Sequence, residues 1–122
     1  MDEGTGVRLD RGAVVLVELD PALGHEQRGV RPCVVVSDPA VNDDRRFPLV
    51  AVVPVTGTRG EGALYPELSP GRSGLAKTSF ALTDQVRSVD KRRIRRVFGT
   101  VTSGELASVD EGLRLFLGLA PG

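Results

Sequence analysis

The 122-residue chain has no tryptophan, one cysteine, one histidine and no excess of either charge, with 16 basic and 16 acidic residues. Each shortage excludes something. A single thiol, Cys33, cannot build an internal disulfide framework. One His and one Cys, far apart in sequence, cannot make a zinc site, and no acidic run has calcium-loop spacing. Nucleophilic triads are disfavoured for the same reason. Zero net charge argues against a polybasic protein that grips nucleic acid by charge alone, though not against a local basic site. No apolar run approaches a membrane span, and Met1 to Leu9 lacks the apolar stretch of a signal peptide. These features point to a cytoplasmic protein without metal or cofactor. Cys33, flanked by Val34, Val35 and Val36, reads as a small buried hydrophobe.

What is present is strand. The segments 13–19, 32–37 and 49–56 are rich in valine and bounded by turn residues, and the last two are apolar enough to be buried on both faces. Pro54 has no N–H to give a ladder, so its strand is expected to lie near an edge or to end there. Shorter strands are expected at 65–68, 79–82, 85–89 and 97–101, with a short turn or helix at 39–44. Thr102 and Glu105 form a capping-box pattern, and Leu106, Val109, Leu113, Phe116 and Leu117 follow at helical spacing until Gly118 and Pro121. Leu106, Val109, Leu113 and Phe116 are expected to face a core that includes Val35 and Val52. The chain thus reads as a loose tail (residues 1–10) and one α+β domain (residues 11–120). Its simplest architecture is a small curled barrel of six to seven short strands with a C-terminal amphipathic helix.

Two places can carry chemistry. One is the polar loop His25-Glu26-Gln27-Arg28-Gly29-Val30-Arg31-Pro32, which runs into a buried strand; the other is Thr56, a hydroxyl at the end of another. If those strands pair, a guanidinium and a hydroxyl converge at the barrel rim. Each residue also has a plainer reading. Arg31 and Thr56 taken singly could be ordinary strand-end residues, and a lone loop histidine such as His25 is usually just solvated. Glu26 could be a base or could hold the loop by pairing with Arg28. Gln85 and Arg87 should share one face of their strand, suited to RNA, to a protein partner or to a structural polar pair. The run Lys91–Arg96 is either a solvated face or a source of phosphate contacts.

Taken together, Leu19-Asp20-Pro21, Gly24 to Pro32, Val53-Pro54-Val55-Thr56, Asp84 to Asp90 and Val109 to Arg114 resemble the MazF/PemK-type toxins of toxin–antitoxin systems. The likeness runs in order from about Arg11 to Leu119. Two departures are the lack of a Trp in the first strand and a shortened segment around Tyr65–Leu68. The resemblance implies an SH3-like barrel, a homodimer and an endoribonuclease that cuts single-stranded mRNA, leaving 2′,3′-cyclic phosphate and 5′-hydroxyl ends. It implies inhibition by the tail of a cognate antitoxin, and it places catalytic roles on Arg31 and Thr56. Glu26 joins them as a candidate base, with His25, Gln27, Arg28, Gln85 and Arg87 as candidate substrate contacts. Two other classes stay open: a same-fold toxin acting on a DNA topoisomerase, and a non-catalytic binding module. The Arg31–Thr56 combination argues against the former, since that target needs no RNA-cleaving pair.

Overall fold

A computed structural model describes residues 9–120, so most of the expected tail, and Pro121, lie outside the described residues. The elements run β1 (Ala13–Glu18), β2 (Val30–Val35), α1 (Pro39–Asn42), β3 (Leu49–Thr56), β4 (Glu67–Leu68), β5 (Ser79–Ala81), β6 (Arg87–Asp90), β7 (Ile94–Thr100) and α2 (Ser103–Leu117). Single 3-10 turns at Thr83–Gln85 and Lys91–Arg93 flank β6. All pairings are antiparallel, in the order β4-β5-β3-β2-β1-β7, with β6 also on β3.

The curl follows from connectivity. β6 lies beside β3 and β7 beside β1, so β2, β3 and β1 separate them along the sheet, yet the chain passes from β6 to β7 in one three-residue turn. The sheet must bend until these edges meet, and Val89 of β6 and Ile94 of β7 share one core. Two shifts of register along the β1–β7 ladder, at Val14/Val15 and Leu16/Val17, add the local twist that bulges bring.

Strand alternation divides the apolar residues between two cores. One holds Val15, Val17, Cys33, Val35, Val50 and Val52; the other holds Val14, Val34, Val53, Val55 and Val109. The helix therefore covers the opposite face from the one expected: Leu106, Val109 and Leu113 meet Val14, Val34 and Val53, whereas Val35 and Val52 line the first core. A side-chain period of two residues sends neighbouring valines to opposite faces, and continuous valine runs hide which face is which. Phe116 is not part of the buried stripe. It lies 47% exposed with Leu115, Leu117 and Leu119, and the apolar contacts of the helix with the sheet end at Leu113.

Pro54 also departs from expectation. β3 is central, and Pro54 is buried opposite Cys33. Its carbonyl accepts from the Leu82 N–H on the edge away from β2, so its nitrogen points to that edge too. That edge is forked: β6 pairs with Leu49–Val52 and β5 with Val55–Thr56. Pro54 stands in the fork, where no ladder donor is required.

The capping box forms as expected. The Thr102 hydroxyl accepts from the Glu105 N–H at 3.1 Å, and the Glu105 carboxylate accepts from the Thr102 N–H at 2.9 Å and the Ser69 N–H at 2.8 Å. Burial pushes the Glu105 carboxyl up, but these donors outweigh it and hold it below its ordinary value. A depressed folded-state pKa contributes stability above the unfolded value, which is lost as pH falls through the folded one. Thr102→Ala should therefore cost about 1 kcal/mol in urea melts at neutral pH and less at acid pH. Arg11, unmarked in the sequence, ties the sheet to α2 through a bidentate pair with Asp110 (3.0 and 2.5 Å) and a bond to the Val36 carbonyl.

Candidate active site

β1 and β2 form a hairpin whose polar loop is closed by a bond from the Leu19 N–H to the Gly29 carbonyl at 2.8 Å. Gly29 has φ of +72°, a region unfavourable to residues with a Cβ, and its N–H reaches the Asp20 carboxylate. Within the loop, Glu26 donates its N–H to the Leu23 carbonyl and accepts the Leu23 N–H on its carboxylate at 2.8 Å. This reciprocal turn folds the Glu26 side chain back on Leu23. Glu26 does hold the loop, but through Leu23, and forms no pair with Arg28.

The two rim strands pair as the chemistry requires. β2 and β3 are in register at Cys33–Pro54, Val34–Val53 and Val35–Val52. Continued two residues further, that register sets Arg31 opposite Thr56, and opposed residues of an antiparallel pair share a face. Arg31 is exposed; its Nε donates to the Arg28 carbonyl at 2.9 Å, leaving the guanidinium end uncommitted. The Thr56 hydroxyl oxygen accepts from the Thr58 N–H at 3.1 Å, so its own hydrogen is available to a ligand.

Two clefts open beside this rim. One, of about 380 Å³, is lined by Leu19, Glu26, Gln27, Pro54, Gln85 and Arg87 among others. The second, of about 390 Å³, is lined by Thr56, Arg59, Tyr65 and neighbouring residues; Gln27, Asp84 and Gln85 belong to both. His25 and Arg28 on the loop and Arg31 at the start of β2 are exposed outside these walls, whereas Thr56, Glu26, Gln27, Gln85 and Arg87 line them.

Gln85 and Arg87 are reached by a route the sequence reading missed. The strand begins at Arg87, and Gln85 closes the 3-10 turn before it, because Leu82 to Val86 turn at the fork in β3. The Gln85 amide accepts from the Gln27 N–H at 2.8 Å and donates to the His25 carbonyl at 3.3 Å. It pins the polar loop between β1 and β2. Arg87 donates to the Leu19 carbonyl at 3.0 Å.

The basic run proves to be largely structural. Lys91 donates to the carbonyls of Val41 and Asp44, Arg92 pairs with Asp90, and Arg93 donates to the carbonyls of Glu18 and Asp20. Hydrogen bonds from Arg92 hold the Asp90 carboxyl down at about 2. Arg95 and Arg96 are exposed on β7, with Arg96 stacked over Phe98. Cys33 is fully buried, and burial pushes its thiol up to about 12, which suits packing and not nucleophilic attack. Among the described residues no three His, Cys, Asp or Glu side chains gather where they could hold a metal ion.

Asp84, Tyr65 and Arg59 were not singled out from sequence. The signal for Asp84 lay within the Asp84–Asp90 motif; Tyr65 and Arg59 gave none beyond their scarcity or charge.

A small curled antiparallel sheet with a helix over one face thus presents, at an open rim, an arginine at the start of β2 and a threonine at the end of β3. Comparison makes this specific. Residues 10–117 match the family described as "PemK-like, MazF-like toxin of type II toxin-antitoxin system", and the chain belongs to that family. It is 38% identical over 115 residues to "Endoribonuclease MazF9" of Mycobacterium tuberculosis (strain ATCC 25618 / H37Rv), covering 89% of this chain and 96% of that one. In fold it is similar to MazF from Deinococcus radiodurans, with a TM-score of 0.77, 31% identity, and 92% and 98% of the two chains covered. It is also similar to a mycobacterial endoribonuclease solved with its cognate antitoxin, with a TM-score of 0.76, 25% identity, and 93% and 98% covered.

Proposed function

We propose that this toxin cleaves single-stranded RNA without a metal or cofactor, by attack of the substrate's own 2′-hydroxyl on the adjacent phosphorus. The endoribonuclease activity itself follows from family membership and from the identity to a named endoribonuclease. The observation that supports the chemistry is the β2–β3 register at Cys33–Pro54, whose extension by two residues sets Arg31 across from Thr56.

RNA brings its nucleophile with it. The enzyme has to orient the 2′-oxygen in line, accept its proton, stabilise the phosphorane and protonate the departing 5′-oxygen. The P–O5′ bond breaks, leaving a 2′,3′-cyclic phosphate and a 5′-hydroxyl. Arg31 offers a planar fork matched to phosphate oxygens, anchored at Nε and free at its end. Thr56 offers one hydroxyl donor on a rigid strand. Glu26 is the first candidate to take the 2′-proton and His25 the second; Gln27, Arg28, Gln85 and Arg87 form or support the groove around them. Incubating the purified protein with end-labelled RNA and excess EDTA, then mapping both new ends, tests this directly. Retained cutting with cyclic-phosphate ends is the expected result, and loss of cutting in EDTA would refute the metal-free route. A pH–rate profile assigns the base. Glu26→Gln should erase the acidic limb, whereas a limb near the imidazole range that vanishes in His25→Ala would transfer the role to His25.

No helix among the described residues is long and apolar enough to cross a membrane, and we place the toxin with its mRNA in the cytoplasm. A symmetric pair would extend one small groove into a strand-length one and give the exposed Leu115, Phe116, Leu117 and Leu119 an apolar surface to meet. Light scattering at micromolar concentration should report a dimer; a persistent monomer would refute it. An acidic antitoxin tail laid over Arg31 is expected to suppress cutting by competing with RNA.

A further inference from the structure

We infer that the cleft over Asp84 is a base-reading subsite that selects, at one position of the RNA, a nucleobase carrying an exocyclic amino group. This rests on the ribonuclease reading above and deepens it. Asp84 sits in the 3-10 turn at the fork of β3 and lines both clefts. Its Oδ2 accepts the Tyr65 hydroxyl at 2.6 Å. Its Oδ1 is buried and receives no hydrogen bond from any described residue. A buried carboxylate oxygen without a donor is costly, and one in a substrate cleft is a place where the substrate can supply the donor. The neighbouring Gln85 amide is already committed to the loop backbone, which leaves Asp84 as the acceptor still to be satisfied.

A carboxylate only accepts, and that decides which bases suit it. Adenine, cytosine and guanine each present amino hydrogens on the Watson–Crick edge, and that edge is open in single-stranded RNA. Uracil presents one N–H between two carbonyls, so lone pairs face the carboxylate. The wall of the site fits a base as well. Among the described residues Tyr65 is the only aromatic lining the two clefts, and it packs so close to Gly60 that a Cβ there would stand 2.7 Å from the Tyr65 Cβ and 3.0 Å from its Cγ. Aromatic rings of this kind hold bases by stacking. Thr56 lines the same cleft, so the base read here neighbours the reacting phosphate.

The test uses the full chain and a randomised RNA pool whose cleaved ends are sequenced. The unaltered protein should show one position at which an amino-bearing base outpaces uracil about ten- to a hundredfold. Asp84→Asn, which adds a donor able to meet a uracil carbonyl, should erase that preference and leave other positions unchanged. Tyr65→Phe should retain it. Independently of any variant's folding, replacing the chosen base by its analogue without the amino group (inosine for guanosine, purine riboside for adenosine) should slow the unaltered protein by about tenfold or more. Cutting with no such preference, or with a preference that Asp84→Asn keeps or the analogue ignores, overturns the subsite while leaving the ribonuclease reading intact. A protein that cuts no RNA at all sinks both.

Discussion

Arg31→Ala should cut RNA about 10²–10³-fold more slowly than the parent while folding as well as it does, the loss typical of one removed charge-stabilising donor. Arg31 is exposed and contributes one hydrogen bond, from Nε to the Arg28 carbonyl, so little of the fold depends on it. Single-turnover cleavage beside circular dichroism separates the two effects. Arg31→Lys should recover only part of the rate, since an ammonium keeps the charge but not the fork. Thr56→Ala should lose less than Arg31→Ala, and Thr56→Ser little, because the strand needs only to present a hydroxyl. An Arg31→Ala protein that is folded and within threefold of the parent would remove Arg31 from the reaction.

Gly112→Ala is the second large effect, and its sign runs against helix propensity. In an exposed helix the change would stabilise by about 1 kcal/mol. Here a Cβ would stand 2.7 Å from the Thr83 hydroxyl and 2.9 Å from the Ala63 carbonyl. Thr83 cannot yield easily: it is fully buried and its hydroxyl donates to the Leu64 carbonyl at 2.6 Å. Overpacking of this kind costs about 1–3 kcal/mol, so thermal melts should fall by roughly 5–15 °C. A melt at or above the parent's would show that α2 can slide off the Thr83 turn without penalty. Because that turn also carries Asp84 and Gln85, cleavage should weaken with the fold.

Local signals in the sequence carried far, and their failures share one cause. The Thr102–Glu105 box, the α2 span and the three valine strands rest on contacts within a few residues, and each formed, although the second strand runs Val30–Val35 and not 32–37. Long-range choices did not announce themselves. Valine runs do not say which alternate residue faces the helix, so Val35 and Val52 were assigned to the wrong core. Phe116 keeps the helical period but is exposed, beyond the last helix residue that packs on the core, Leu113. At the site, the pairing of the strands that carry Arg31 and Thr56 was legible because both are valine-rich runs that had to find a partner. The Glu26–Leu23 turn and the orphaned Asp84 oxygen were not, since both depend on where a loop lands after folding.

Pro54 gives the fork in β3 a consequence for how the protein is kept usable. A sheet tends to heal: an unpaired N–H beside a free strand edge invites the neighbouring chain to zip further along. With an ordinary residue at position 54, β5 and β6 would have a donor to compete for in the gap between them. The pyrrolidine ring removes that donor, and Pro54 itself lines the cleft that opens there. The opening is thus held ajar by a covalent ring, at a point where the backbone keeps an acceptor but has no donor with which to close it.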